Sequence, residues 1–194
     1  MSRLLAFPRP KAAELDDAVL LAAGAAGDMD AFAALFDRHH EALHRFVLRL
    51  GFVDAQDVDD LLQTTFVQIF RAADGFRERS QVRTWMMAIA ANVSRRHVRT
   101  VIRRRRLLQN VSERPTLRPV GPAAALEQAE RQRRLQAAIA ALPHKLRVVF
   151  VLCEVEGVPG VEAAAGLDLP TGTLYRRLHE ARRSLRAALA EGAP

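Results

Sequence analysis

Cysteine, tryptophan and tyrosine each occur once in the 194 residues. The single Cys153 excludes an internal disulfide and fits a reducing compartment, and because it closes the apolar run Val148 to Leu152 it reads as a packing residue. No run approaches the roughly 20 apolar residues that cross a bilayer, so no membrane insertion is expected. Arg3, Arg9 and Lys11 are not followed by an apolar segment, so a secretory signal is not expected either. A glycine-rich phosphate loop, a nucleophile elbow and an HExxH pair are all absent, which argues against an enzyme. Asp59 and Asp60 make a poor magnesium pair, because adjacent helical residues diverge by about 100° and no supporting ligands lie nearby in sequence. No strand pattern competes with helical periodicity. These absences leave an all-α, cytoplasmic protein for which neither cofactor nor metal is expected.

What the chain has in abundance is arginine. Of its 29 basic residues all but Lys11 and Lys145 are arginine, and the net charge is +7. Such a balance implies a polyanionic partner, either nucleic acid or an acidic protein. The arginines are clustered, with Arg95, Arg96, Arg99 and Arg103 to Arg106 in one stretch and a second group near the C-terminus. Directly after a helix of this kind, the four consecutive arginines read as phosphate contacts. Two separated basic surfaces suggest an extended DNA footprint.

The second group carries the most specific pattern. Val161 to Ala165 is a short alanine-rich helix, Gly166 to Leu169 can turn the chain, and Pro170 opens an amphipathic helix at the first helical position. This is the grammar of a helix-turn-helix. Leu174, Leu178, Ala181, Leu185 and Leu189 form its apolar stripe, and Arg176, Arg177, Arg182, Arg183 and Arg186 lie on the polar side. Arginine suits a groove walled by phosphates, where it releases counterions and can pair bidentately with guanine. Arg176 and Arg177 are the leading base-edge or phosphate candidates, with Arg182 behind them. Thr171 and Thr173 offer hydroxyls and helix-end amides to the DNA backbone, and Tyr175 faces either a phosphate or the protein surface.

Upstream, residues 1–15 lack a period and read as a loose arm. From Asp16 the pattern is helical, with Ala31, Phe32, Leu35, Phe36, Leu43, Phe46, Val47 and Leu50 at helical spacing and Gly51 as the terminating glycine. A helix from Asp57 to Ala73 buries Val58, Leu61, Leu62, Phe66, Ile69 and Phe70, while Asp57, Asp59, Asp60, Gln63 and Thr64 gather elsewhere on it. That acidic cluster stands out in a basic chain. From Phe76 a short loop runs into a third helix, for which Ser80 is the expected N-cap and Trp85, Met86, Ile89, Ala90 and Val93 the buried stripe. Asn92, Arg95, Arg96 and Arg99 fall along its exposed face. Periodicity vanishes between Leu107 and Ala125, where Pro115, Pro119, Gly121 and Pro122 mark a flexible linker. Helices from Leu126 to Leu142 and from Lys145 to Glu154 then precede the helix-turn-helix. The expected domains are therefore 16–106 and 126–194, joined by the linker 107–125.

Three motifs in this order, DVDDLLQTTFVQIFRAADGFR at Asp57 to Arg77, VRTWMMAIAANVSRR at Val82 to Arg96, and ALPHKLRVVFVLCEVEG with LPTGTLYRRLHEARRSL at Ala141 to Leu185, resemble the extracytoplasmic-function sigma factors of bacteria. The resemblance spans nearly the whole chain. It implies a subunit that binds core RNA polymerase and directs promoter-specific initiation, with most DNA affinity arising only in the holoenzyme. Asp57, Asp60, Gln63 and Thr64 would then dock on the clamp helices of the largest polymerase subunit, and the second domain on the flap region. The loop from Phe76 to Gln81, with Phe76, Arg77 and Ser80, would capture an unstacked base of the minus-ten element, whose faces and edges are exposed. Asn92, Arg95, Arg96 and Arg99 would hold the non-template strand and upstream phosphates. The final helix would read the minus-thirty-five element. The resemblance also implies an anti-sigma factor as partner. The chain departs from the family pattern at Thr64, where glutamate is usual, at Asp168, where the turn usually has glycine, and at Tyr175-Arg176, often lysine-serine.

Two other readings compete. A stand-alone helix-turn-helix regulator accounts for the second domain and leaves the first unexplained. A metal-responsive sensor would use His40 and His44, whose i, i+4 spacing can chelate, but two histidines alone make a weak site.

Overall fold

The structure, a computed structural model of the chain, describes residues 15–51, 57–108 and 123–190, with the side chains of 98–108 and 123–129 left aside. Eight α-helices and no strand occur among these residues: α1 (Asp17–Ala25), α2 (Met29–Leu50), α3 (Val58–Ala72), α4 (Val82–Leu108), α5 (Ala123–Ala141), α6 (His144–Phe150), α7 (Gly160–Gly166) and α8 (Thr171–Ala190). The first four pack as one bundle and the last four as another.

The periodic region after Asp16 is two helices rather than one. Gly27 ends α1 in a left-handed conformation (φ 97°), where the Gly27 and Asp28 amides recapture the Gly24 and Ala23 carbonyls, each at 3.0 Å. Asp28 then caps α2, its carboxylate accepting from the amides of Asp30 (3.0 Å) and Ala31 (3.1 Å), a bond of about 1 kcal/mol. Leu15, expected in the arm, is tied down, its carbonyl accepting from Arg38 at 3.0 Å. The rest of the arm lies outside the described residues. Gly51 terminates α2 with φ 60°, as expected from the sequence.

The expected core positions are buried with one exception, Phe70, which is 39% exposed. A residue from outside the expected stripe joins them: His39 is buried, and its Nε2 pairs with Asp17 Oδ2 at 2.7 Å. The linker is shorter at both ends than its proline content indicated. Residues 107 and 108 continue α4 and residues 123–125 begin α5, because the helix-disfavouring prolines stop at Pro122. The helix expected from Lys145 to Glu154 begins at His144 and widens into a π-helical turn over Val151–Val155.

The two bundles share one apolar core. Leu20, Leu43, Leu50, Met86 and Ala90 of the first are continuous with Val148, Leu152, Ala163 and Leu174 of the second. Arg147, 4% exposed, stitches the two together. Its guanidinium donates to the Leu50 carbonyl at the end of α2, to the Ala140 carbonyl, and to the Leu142 carbonyl at 3.0 Å just past the end of α5. A cation at the carbonyl ends of two helices is favourable for both, since these carbonyls lack intrahelical partners and carry the negative end of the dipole.

Candidate nucleic-acid and polymerase interface

The helix-turn-helix is built by a left-handed residue at the position where the sequence offered aspartate. Asp168 has φ 51°, and the amides of Asp168 and Leu169 return to the carbonyls of Ala165 (3.2 Å) and Ala164 (2.9 Å), closing α7. Pro170 differs from expectation by one position. Its carbonyl accepts from Thr173 (2.9 Å) and Leu174 (3.1 Å), so it is the cap of α8 and not its first helical residue. Either place suits proline, whose missing N–H would be unpaired there.

Leu174, Leu178, Ala181 and Leu185 bury the apolar stripe of α8, whereas Leu189 is 39% exposed. Thr171, Tyr175 and Arg176 are exposed at the start of the helix, with Thr173 and Arg177 half-buried beside them. The Tyr175 ring lies over Gly160, where a Cβ would stand 2.8 Å from its Cζ and hydroxyl oxygen, so this residue fills the surface between α7 and α8. Arg182 is held within its own domain by Glu154, Nη2 to Oε1 2.5 Å. Cys153 neighbours this pair, and burial first, then the Glu154 charge, push its thiol above the ordinary value, with Arg182 opposing.

In the first domain the loop before α4 turns at Glu78, left-handed at φ 52°, a conformation costly for a residue with a side chain. Ser80 does not cap α4. The Trp85 amide bonds the Gln81 carbonyl at 3.1 Å, which makes Gln81 the cap. Phe76 packs on Trp85 with ring centroids 5.2 Å apart. Trp85 is half-buried and joins Phe76, Arg77, Arg79 and Ser80 around a cavity of about 220 Å³, closed on the far side by Ala165, Gly166 and Asp168. Asn92, Arg95 and Arg96 are exposed along α4. The side chains of Arg99 and of Arg103 to Arg106 lie outside the described residues.

The third surface is α3. Asp60, Gln63 and Thr64 are exposed on one side, with Val67 at 47% and Phe70 at 39% continuing the strip; Asp57 is half-buried at its start. The Thr64 hydroxyl donates to the Asp60 carbonyl at 3.0 Å, turning it away from solvent partners. Flanking this strip, His40 stacks on Phe66 (6.4 Å, 19°) and packs against Phe36. The His40 and His44 rings are 6.3 Å apart, and no group of three metal-capable side chains occurs among the described residues. His39, the third histidine, points the other way into the Asp17 pair.

The sequence reading missed the residues that join the domains. Glu162 accepts from Thr84 Oγ1 (2.6 Å) and from the Gln81 amide (3.3 Å). Glu156 bridges Arg49 and Arg83. Nothing in the spacing of these residues could have paired them, since the partners lie more than 70 positions apart.

An all-α chain with a helix-turn-helix in one bundle and an acidic docking strip in the other has the makings of a transcription initiation subunit, and the comparisons agree. The Sigma-70 region 2 family matches residues 35–106, and the Sigma-70, region 4 family matches residues 132–185. The chain is 34% identical over 175 residues to the ECF RNA polymerase sigma factor SigM of Mycobacterium tuberculosis, covering 89% of this chain and 84% of that protein. Among solved structures, CnrH in complex with the cytosolic domain of CnrY is 30% identical with a TM-score of 0.64, covering 91% of this chain and 99% of that one. The sigma factor RpoE of Bartonella quintana, solved with the anti-sigma factor NepR, shares the fold at 21% identity and a TM-score of 0.59, over 84% of this chain and 98% of that one. The chain belongs to the extracytoplasmic-function RNA polymerase sigma factors. It is a non-enzymatic subunit that binds core RNA polymerase and promoter DNA to direct transcription initiation. Among the described residues no helix is long and apolar enough to cross a membrane.

Proposed function

We propose that this sigma factor reads the minus-thirty-five element with α8, through Thr171, Thr173, Tyr175, Arg176 and Arg177, and the minus-ten element with the first domain, through Phe76, Arg77, Ser80, Asn92, Arg95, Arg96 and Arg99. The observation that carries the first assignment is the division of α8, with its leucines buried and its N-terminal Thr171, Tyr175 and Arg176 presented outward. Arg182 serves the fold through Glu154 and reaches phosphate only by exchanging that partner. Residues 16–106 are the polymerase- and minus-ten-binding domain, and residues 126–194 the minus-thirty-five domain.

For polymerase docking we assign Asp57, Asp60, Gln63 and Thr64, with Val67 and Phe70 adding an apolar edge to the same strip. Acidic side chains flanking exposed apolar ones suit a partner that is basic and partly apolar. Replacing Asp60 with lysine is expected to weaken core binding without unfolding the chain, because Asp60 is exposed and its side chain carries no tertiary bond; unchanged affinity for core would remove the docking assignment. The protein acts in the cytoplasm, where the polymerase is, and an anti-sigma factor is its third partner, as NepR is for the Bartonella RpoE.

The decisive experiment is run-off transcription with purified core polymerase and a pooled library of genomic promoter fragments, with and without this protein. Discrete protein-dependent starts are expected, and their upstream sequences would report both elements. Specific duplex binding by the protein alone, with no binding to core, would support a stand-alone regulator instead.

A further inference from the structure

The candidate strand-binding surface of the first domain is filled by carboxylates of the second. Glu162 meets the first turn of α4, taking a bond from Thr84 Oγ1 at 2.6 Å and one from the Gln81 amide at 3.3 Å. Glu156, its side chain only 5% exposed, lies between Arg49 and Arg83, the latter at 2.9 Å. Asp168 meets Arg79 at 2.6 Å in the open. The backbones are close beneath these pairs, since a Cβ on Gly166 would stand 2.9 Å from Thr84 Cγ2. The turn of the helix-turn-helix thus closes the far wall of the cavity lined by Phe76, Arg77, Ser80 and Trp85.

We propose that Glu156, Glu162 and Asp168 occupy, within the same chain, the cationic positions that promoter-strand phosphates take, so that the closed chain is autoinhibited for minus-ten recognition and single-stranded DNA competes with the second domain. This rests on the promoter-binding reading above. The physical argument is one of chemical equivalence and tethering. Guanidinium groups and the amide end of a helix bind carboxylate and phosphate through the same donors. A carboxylate on a tethered domain acts at an effective concentration near millimolar, well above that of free DNA. The shared apolar core and the Arg147 bonds add to closure, so the second domain holds the surface until something separates the two bundles. Core polymerase, by engaging each domain at its own site, would be that agent, and strand affinity would then arise in the holoenzyme. The equilibrium is one between two compact states, biased by whichever anion the first domain holds.

The test uses the full chain and two charge-matched double variants, E156Q/E162Q at the contact and E41Q/E130Q on exposed helix faces elsewhere. Each is titrated against a fluorescein-labelled, random-sequence single-stranded DNA of about 12 nucleotides, and its radius of gyration is measured by small-angle X-ray scattering. If closure leaves about a tenth of the chains competent, E156Q/E162Q binds about tenfold more tightly than E41Q/E130Q and has the larger radius. Equal DNA affinity in the two variants, or an unchanged radius, overturns the proposal. Should E156Q/E162Q lose its helical circular dichroism, E162Q alone carries the same prediction, because Glu162 is bound from one side by a hydroxyl and an amide that water can satisfy. Run-off transcription by the wild-type chain separates the two levels: transcripts with equal DNA binding sink the latch alone, whereas no transcript with core removes the promoter reading and the latch with it.

Discussion

α4 and α8 both begin beside a threonine, and their surroundings are opposite. At α4, Thr84 is 2% exposed and gives its hydroxyl to a carboxylate of the other domain. At α8, Thr171 and Gly172 are exposed, and a Cβ on Gly172 would meet nothing within 4 Å. Gly166, facing α4, has the reverse problem, with Thr84 Cγ2 2.9 Å from where its Cβ would be. The closed chain therefore leaves open the helix that reads duplex DNA and covers the loop that reads an unstacked base. Duplex exists before polymerase acts, whereas the unstacked base exists only once the promoter melts, and the occupied surface is the one that has no work until then.

The strongest way to break this contrast is to remove the cation that holds both bundles. Arg147→Met leaves the Leu50, Ala140 and Leu142 carbonyls without their donor, and a loss of about 3 kcal/mol is expected, read as a lowered midpoint in urea. An unaltered midpoint would show that Arg147 does not hold the domains. A wedge should act more selectively. Gly166→Val places a branched side chain against Thr84, costing about 1–3 kcal/mol of closed-state packing, and single-stranded DNA should bind more tightly while run-off from duplex templates persists. Tighter closure would contradict the contact at Gly166.

On the open side, Arg176→Ala should cost about 1–3 kcal/mol at one base pair of the upstream element, shifting the ranking among promoters. It should leave single-strand binding by the free chain unchanged, because Arg176 is remote from the covered surface; an equal loss on every promoter would reassign it to a phosphate. The smallest effect concerns Cys153. Burial raises its thiol above the ordinary value, so ionisation favours the unfolded chain. That contribution to stability is fully present below the ordinary thiol value and declines as pH rises past it. Slow alkylation of the native protein near neutral pH, and fast alkylation in urea, is the expected check.

Local features were legible where one residue's own chemistry decides. Gly51 and Asp168 occupy the left-handed positions their types suggest, since a residue without a Cβ, or with a short polar side chain, tolerates that geometry. The apolar stripes of α2, α3 and α8 followed from helical period. The same signals failed where two neighbours compete. Gly27 and Asp28 carry a terminator and a cap side by side, yet they lie inside a continuous apolar pattern that masks the break. Ser80 has the better side chain for capping, but the backbone turns helical one residue later because Glu162 takes the Gln81 amide. Of the candidate site, the polar faces of α3, α4 and α8 were visible as charge against period, and Tyr175 was not, because only the approach of Gly160 explains where its ring rests.

Composition and spacing by themselves determined the helices, the buried stripes, the helix-turn-helix and the family, because each depends on residues within a turn or two of one another or on motifs in linear order. The tertiary structure alone decided that the two bundles share a core, that Arg147 ties the ends of α2 and α5, and that Glu156 and Glu162 face Arg49, Arg83 and Thr84. Those pairings depend on distance in space, and charges so far apart in sequence acquire partners only when packing brings their helices together.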